Sequence, residues 1–495
     1  MNTNLQSTLQ AIVLAGGRST RFNTGRTKLL EKICGRPMLL YITKRLEHMA
    51  IPTTLLVGHQ RESIQDLINA EHGNSIKFIV QNEQQGTGHA LLCTRSAWNS
   101  STILILNGDV PLITSEILEH AYKSHQESKA VITFVAAHHE DPSVGDYGRI
   151  VQQGSQVKIV ESKDFKGNAQ EYCWLNAGIY FIEQTFLREA IERLENNNAA
   201  QEFYITDLIG YASTYHSVNM VKAPFDRVRG INTLKELWMV EQIQRSEIIA
   251  HWMEQGIRFD TVQTVRIDWD VIIGAGTSIG TGVDLGAGTK LGNNCIIGCY
   301  SVLSGATLGN EVIIKPHTMI TDSVIEDRAQ VGPFAHVESS SHIGQEAVVG
   351  NFVHIKRSHL GSRSKAKHLA FLGDALIGAR VNIGGGTITC NYDGKNKNQT
   401  NIEDNAFIGS NNTLVAPLII EKNSYTAAGS TITKSVVAGS LALGRAHQIN
   451  KLGYAQKLRA HPSEPSTDLD CYESDSATVQ FQGALTVDSS LLEME

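Results

Sequence analysis

Aliphatic residues recur at every sixth position through the second half of the chain: Ile273, Ile279, Leu285, Leu291, Ile297 and Leu303. The beat returns at Val331, Val337, Ile343, Val349 and Ile355, and again at Ile402, Ile408, Leu414 and Ile420. Such a period fits neither the roughly 3.6 residues of an amphipathic helix nor the period of about 2 of a half-buried strand. It fits a solenoid whose triangular coil has three short sides, each sending one aliphatic side chain inward. Glycines beside the beat (Gly274, Gly280, Gly286, Gly292, Gly298) are expected to serve the tight corners between sides. The pattern predicts a hexapeptide-repeat parallel β-helix.

The first half reads differently. Ala11–Leu14, Thr54–Val57, Phe78–Val80 and Thr102–Leu106 are short apolar runs, each followed by polar or glycine-rich sequence, as in an α/β sheet. Between the halves, Thr233 to Gln255 lacks Pro and Gly, carries Leu237, Val240, Ile248 and Trp252, and is followed by Gly256. One long helix with a glycine stop is expected there.

Length and charge sharpen this outline. At 495 residues two or three domains are expected. The net charge of −7 is concentrated: from His461 onward there are eight acids and no Lys or Arg, which leaves the preceding body at +1. A nearly neutral body with no basic run argues against nucleic acid or an anionic membrane as partner, and the tail reads as a disordered, solubilising end. The seven cysteines form no CxxC pair, and Cys295 and Cys299 have no second pair to complete a zinc site, so reduced thiols in a cytoplasmic protein are expected. The first apolar run, Ala11 to Ala15, is too short for a signal peptide or a membrane span.

Candidate chemistry sits where each half departs from regular structure. The strand Ala11–Leu14 runs into Gly16-Gly17-Arg18-Ser19-Thr20-Arg21 and then Lys28: glycines let backbone N–H groups approach an anion, and Arg21 and Lys28 add charge for a triphosphate. The strand Thr102–Leu106 ends in Asn107-Gly108-Asp109, a carboxylate placed to hold Mg²⁺ against phosphate. The β-helical beat breaks around Ser358 to Leu372 and after Thr389, and loops on such coils carry sites. His368 is the obvious base there, since freeing an amine of its proton at neutral pH suits imidazole.

The order and spacing of LAGGRSTRF…K (Leu14 to Lys28), QNEQQGTGHA (Gln81 to Ala90), NGDVPL (Asn107 to Leu112), YGRIV, IVESKD, LNAGIY, EFYITDL and GIN (Gly230 to Asn232) resemble the sugar-1-phosphate nucleotidyltransferases. With the β-helix behind them, the chain to about Tyr454 resembles the bifunctional N-acetylglucosamine-1-phosphate uridyltransferase / glucosamine-1-phosphate acetyltransferase family. The resemblance implies an α/β Rossmann-like nucleotidyltransferase domain over 1–232, a linker helix over 233–256, and a left-handed β-helix acetyltransferase domain over 257–455. An acidic tail over 456–495 completes the expected layout. It further implies that Leu14, Ala15 and Gly17 line the uridine-nucleotide loop, that Gln84, Gly86 and Thr87 read the uracil, and that Arg21 and Lys28 hold the triphosphate. Asp109 and Asn232 would bind Mg²⁺, and Gly148, Glu161 and Asn176 the N-acetylglucosamine moiety.

In the second half the blocks GNFVHIK, KHL, LGDA and NIGGGTITCNYDG carry the same resemblance. It makes His368 the catalytic base, assigns Lys356, Asn382 and Lys397 to glucosamine 1-phosphate, and assigns Gly385, Asn391, Tyr392, Ser410, Ala428 and Arg445 to acetyl-CoA. The family's coenzyme site lies between subunits, which implies a homotrimer. Small-molecule substrates, UTP and acetyl-CoA as co-substrates, and no membrane insertion are expected.

Five positions depart from the family pattern. Ser19 stands for Gly, Thr27 for Pro, Asn107 for Tyr, Glu338 for a phosphate-binding Arg, and Phe371 for a sugar-binding Tyr. Two further readings stay open at this level. One, because Glu338 and Phe371 fall in one expected acceptor pocket, is a uridyltransferase whose acetyltransferase half is weakened or re-targeted. The other, because nucleotidyltransferase and β-helix modules serve as non-catalytic subunits in some assemblies, is a non-catalytic nucleotide-sugar-binding regulatory subunit.

Overall fold

The computed structural model describes residues 8–459, except 18, 23–24, 142–143, 145, 155 and 169–171. The acidic stretch from His461, the bulk of the expected tail, lies outside the described residues. Two compact units are separated by their contacts, Met1–Gly444 and Arg445–Glu495. In the second, Tyr454–Arg459 forms a short exposed helix.

The first unit begins with a mixed sheet in the order Val218–Ala223, Ile132–His138, Trp174–Glu183, Thr102–Asn107, Leu9–Ala15, Thr53–Val57, Lys77–Val80. Trp174–Glu183 is antiparallel to both its neighbours, and the other pairings along this path are parallel. The strands are apolar on both faces because helices cover both: Leu9–Ala15 and Thr53–Val57 are buried almost throughout. A hairpin, Arg149–Gln153 with Gln156–Val160, branches from Trp174–Glu183. The carboxyl ends of Leu9–Ala15 and Thr102–Asn107 therefore lie side by side. That edge is where an open α/β sheet offers its ligand crevice.

The helix Leu234–Glu254 is capped by Thr233, whose hydroxyl accepts from Glu236 N–H while the Glu236 carboxylate accepts from Thr233 N–H. Gly256 follows at φ +83. Val240 belongs to the core beneath the sheet and Ile249 to the core of the β-helix, while Ile248 packs against both. The helix thus changes its apolar side along its length, as a strut shared by two cores must.

From Arg258 to Ala442 the chain is a left-handed parallel β-helix of short strands. Its core has three columns, one per face, each stacked in parallel register; Ile279↔Ile297↔Ile314↔Val331 is one example. All fifteen residues of the six-residue beat are buried in this core. The beat is lost between Leu303 and Val331 because two sides are one residue short: the inward residues step from Leu303 to Leu308 and from Ile320 to Ile325.

The glycines next to the beat have a different role from the one expected. Gly274, Gly280, Gly286, Gly292 and Gly298 are not among the positive-φ residues. They are required because coils approach closely: a Cβ on Gly292 would lie 2.3 Å from Gly309 O, and one on Gly274 2.4 Å from Gly292 C. The left-handed corner falls two residues later, at Gly276, Gly282, Gly288, Asn294 and Tyr300.

Candidate active sites

The crevice at the carboxyl edge of the sheet is a cavity of about 660 Å³. Its walls include Leu14, Ala15, Gly17, Arg21 and Lys28 from the first loop, Gln84, Gly86 and Thr87, and Asp109 with Asn232. Gly148, Glu161 and Asn176 line the same cavity. Every residue that the sequence assigned to the nucleotide, the sugar or the metal in this half therefore faces one space.

Local geometry explains several of these residues. Gly17 has open space where a Cβ would be, so the loop backbone faces the cavity unobstructed. Gly86 adopts φ +104, and a Cβ there would lie 2.5 Å from Phe203 O. Ser19, in place of the family's glycine, also sits in the left-handed region, at φ +54, and its Oγ accepts from Lys28 N–H at 3.1 Å. Thr27 N–H donates to Gln60 Oε1 at 2.7 Å, a bond that proline could not make. Asn107 packs against Gly178, where a Cβ would come within 2.4 Å of its amide nitrogen.

The charged groups are tightly arranged. Lys28 Nζ donates to Asp109 Oδ2 at 2.5 Å, Ile231 O at 2.7 Å and Asn232 Oδ1 at 2.9 Å, which uses its three protons. Arg21 donates to Asn232 Oδ1 at 3.0 Å and pairs with Asp146. Burial pushes the Glu161 carboxyl above its ordinary value, opposed by the 2.8 Å hydrogen bond from Thr206 Oγ1. The Asn176 side-chain amide donates a hydrogen bond to the Tyr180 hydroxyl oxygen at 2.7 Å.

The oxygens of Asp109 and Asn232 fit a hard divalent cation. They already converge on one cation, the Lys28 ammonium, and offer the carboxylate and amide oxygens that such ions take.

Three supporting residues were not picked out from sequence. Asp146 pairs with Arg21; the Tyr147 hydroxyl bonds both Gly230 N–H (3.0 Å) and Gly230 O (3.3 Å); and Glu236 Oε2 accepts from Asn232 N–H at 2.7 Å. Only Glu236 had a readable signal, the Thr-x-x-Glu of a capping box.

On the β-helix, His368 is exposed on the strand Lys365–Gly373, and its Nδ1 lies 3.0 Å from Asn351 Oδ1 on the preceding coil. In the tautomer that lets Nδ1 donate to this amide oxygen, Nε2 presents its lone pair outward. Below it the coils stack at one corner: Gly386 N–H donates to Leu369 O, Asn411 N–H to Gly385 O and Gly429 N–H to Ser410 O. His368, Gly385, Ser410 and Ala428 accordingly form a continuous column on successive coils. Arg445 lies in the second unit and is exposed.

The excursion after Cys390 is a built loop rather than a loose one. Asp393 accepts from Lys395 N–H (2.8 Å), Asn396 N–H (2.6 Å) and Asn398 Nδ2 (2.9 Å), and these bonds hold its carboxyl down to about 2. Asn391 donates to Asp374, and the Tyr392 hydroxyl donates to Gly394 O at 2.7 Å.

Glu338 is not a bare carboxylate. Its Oε1 accepts from Lys356 Nζ at 2.8 Å and His354 Nε2 at 2.9 Å, and these two, Lys356 first, hold its carboxyl down to about 2. Arg357 is committed elsewhere, to both oxygens of Asp374 at 2.7 and 2.9 Å. His336 stacks on His354 with ring centres 4.6 Å apart, and Phe371 meets His354 edge-on at 5.3 Å. Asn382 pairs in register with Lys365 one coil back.

Comparison with known proteins adds the following. The model of the MobA-like NTP transferase domain matches residues 11–207, and that of the GMPPB C-terminal domain matches residues 267–347. "Bifunctional protein GlmU" of Geotalea uraniireducens is 40% identical over 458 residues, covering 91% of this chain and 99% of the relative. The protein of the same name from Thermosipho melanesiensis is 38% identical, covering 90% of this chain and 96% of the relative. That from Exiguobacterium sp. is 37% identical, covering 90% and 99%.

Proposed function

The chain belongs to the bifunctional GlmU family, and from that premise we propose how its residues divide the work of making UDP-N-acetylglucosamine. It is a uridyltransferase and acetyltransferase in one chain: the β-helical half acetylates glucosamine 1-phosphate, and the sheet half joins the product to UTP. The observation that carries the residue assignment in the first half is the single cavity into which the whole predicted set faces.

In uridylyl transfer a phosphate oxygen of N-acetylglucosamine 1-phosphate attacks the α-phosphorus of UTP, and pyrophosphate leaves. The nucleophile is already anionic, so alignment and charge neutralisation suffice and no general base is needed. Gly17 opens the loop backbone to the triphosphate, with Leu14 and Ala15 beside it. Arg21 and Lys28 supply positive charge, Gln84, Gly86 and Thr87 receive the uracil, and Gly148, Glu161 and Asn176 hold the sugar.

Nucleotidyl transfer in this family needs a divalent metal ion, and we assign Mg²⁺, held by Asp109 and Asn232. When bound, it neutralises charge on the phosphate oxygens as pyrophosphate departs.

In acetyl transfer, His368 Nε2 takes a proton from the amine of glucosamine 1-phosphate as the nitrogen attacks the thioester carbonyl, and the coenzyme leaves as thiol. Asn351 holds the ring in that tautomer. Lys356, Asn382 and Lys397 receive the sugar phosphate. The column Gly385, Ser410, Ala428, with Asn391 and Tyr392, takes acetyl-CoA; Arg445, a residue of the second unit, is assigned to the coenzyme on the family resemblance alone. The homotrimer is assigned on the family resemblance, and apolar side chains exposed on the β-helix, among them Ile296, Met319, Leu376 and Ile388, give surface for subunits to pack on. No helix among the described residues is long and apolar enough to cross a membrane. UTP and acetyl-CoA are cytoplasmic metabolites, the ground for assigning the protein to the cytoplasm.

The experiment is a pair of assays on one protein: thiol release from acetyl-CoA with glucosamine 1-phosphate, and pyrophosphate release from UTP with N-acetylglucosamine 1-phosphate. The exchange His368→Ala should lower the first by about 10²–10⁴-fold, the range a general base contributes, and leave the second unchanged. Equal loss of both activities would contradict the two-site assignment.

A further inference from the structure

The outward side of the β-helix carries a cluster that the reactions above do not use. His336 and Glu338 lie two residues apart on the strand His336–Glu338, so their side chains leave it on the same side. His354 is one coil on, in direct register with His336. One donor atom from each of the three lies within 4.8 Å of the others, and all three side chains are half-buried. We infer that His336, Glu338 and His354 bind one divalent ion of the zinc class, whose remaining positions take an oxyanion, the phosphate of the acetyl acceptor. The second clause rests on the acceptor reading given above for Lys356.

The donor set decides the class of ion. Two imidazole nitrogens and one carboxylate suit Zn²⁺ or Co²⁺, whereas Mg²⁺ takes oxygen ligands almost exclusively. The site is therefore chemically distinct from the Asp109–Asn232 pair. Bond lengths of about 2.0–2.2 Å require the three donors to close up from their present spread within 4.8 Å and the two stacked imidazoles to turn so that their lone pairs converge. No hydrogen bond to another described residue ties the ring of His336 in place; its recorded contact is the stack on His354. Three protein ligands leave at least one position open, the arrangement that admits an exogenous ligand.

The charge pattern says what that ligand is. Glu338 Oε1 already draws Lys356 Nζ to 2.8 Å and His354 Nε2 to 2.9 Å. An ion bound here competes with the Lys356 ammonium for that oxygen and repels it. A phosphate bridging the ion and Lys356 removes the conflict, because each cation then has its own anionic oxygen. Ion and oxyanion should bind cooperatively, and by linkage each must tighten the other equally. On this arrangement the carboxylate at position 338 recruits positive charge to the acceptor pocket.

The test uses the full-length protein, stripped of metal and then kept in excess Mg²⁺ so that the uridylyl site does not compete. Titration with Co²⁺ should give one ion per chain with visible d–d absorption bands. Inorganic phosphate should tighten the binding by about fivefold or more. Both H354A and E338Q should abolish the bands while pyrophosphate release from UTP is unchanged. Absence of the bands in the wild type, or bands that survive in both variants, would overturn the site. Zn²⁺ should lower the KM for glucosamine 1-phosphate by about tenfold. A KM independent of Zn²⁺ would overturn the phosphate link. Co²⁺ bands without any acetyl transfer would overturn the acceptor reading and leave the ion site standing.

Discussion

Lys28 shows how much one side chain does at the crevice. Its ammonium is saturated by a carboxylate, a backbone carbonyl and an amide oxygen, so it is fixed before any ligand arrives. Replacing it with alanine removes a cation from among acceptors that then repel one another and the incoming triphosphate. Pyrophosphate release in K28A should fall by about 10²-fold or more, the scale of losing one preorganised charge stabiliser, with thiol release from acetyl-CoA unaffected. A drop in both would mean that the halves are not independent. Asp393 works through the backbone instead. Its carboxyl is held below the ordinary 3.8, at about 2, first by Asn396 N–H, then by Lys395 N–H and the Asn398 amide. A depressed carboxyl stabilises the loop above its unfolded value, and that contribution is lost as pH falls from about 4 towards about 2. The protection of the Lys395 and Asn396 amides, measured against their intrinsic exchange rates at each pH, should therefore fall across that window. In D393A the two amides should exchange fast at neutral pH, and the KM for acetyl-CoA should rise severalfold. Protection unchanged in the variant would show that the loop is held by other bonds.

At the scale of elements, the capping box at Thr233 does more than start a helix. Glu236 Oε2 accepts from both Asn232 N–H and Thr233 N–H, so the first turn of Leu234–Glu254 fixes the backbone of a residue that faces Lys28. The exchange Glu236→Ala should cost about 1 kcal/mol in stability, as losing a cap does. It should also raise the Mg²⁺ concentration needed for half-maximal uridylyl transfer, while Lys235→Ala, on the same turn, should do neither. A stability loss without the shift in Mg²⁺ dependence would confine Glu236 to the helix. The elements also explain what could be read from sequence. The β-helix was legible because one aliphatic per side is a strict geometric demand: Ile273 through Leu303 and Val331 through Ile355 all point inward. The stretch between them was illegible because five-residue sides at Leu303–Leu308 and Ile320–Ile325 shift the phase without disturbing the coil. The crevice was legible where a residue type is itself unusual, as with Gly17, Lys28 or Asp109. Asp146, Tyr147 and Asn351 escaped because they act on other side chains or backbone across long sequence separations, 125 residues for Asp146 and Arg21. The pairing of Glu338 with Lys356 and His354 escaped for the same reason: it depends on which residues the coils place in register.

At the scale of the first unit, the sheet and the β-helix meet through a small hairpin as well as through the shared helix. Lys32–Ile33 pairs with Arg36–Pro37, and Cys34 and Gly35 turn between them at φ +44 and +79. Cys34 O accepts from Trp269 N–H at 3.0 Å, and the Arg36 guanidinium lies 4.4 Å from the centre of the Trp269 ring. Gly35 rests directly on Asp268: a Cβ there would lie 2.4 Å from the Asp268 carboxyl carbon. Asp268 cannot simply withdraw, because its Oδ2 accepts from Ala287 N–H at 2.9 Å on the next coil. The exchange Gly35→Ala therefore combines a left-handed backbone, costing about 1–2 kcal/mol, with a clash against an anchored side chain. The hairpin has fewer contacts to hold it than either core, so it is the part that should yield. The Trp269 amide should then exchange faster by about tenfold, while amides deep in the coils, such as that of Ile297, keep their protection. Both activities should persist, since the crevice and the His368 column each lie within one half. If Trp269 protection were unchanged, the hairpin contact would be incidental and the helix Leu234–Glu254 alone would join the two halves.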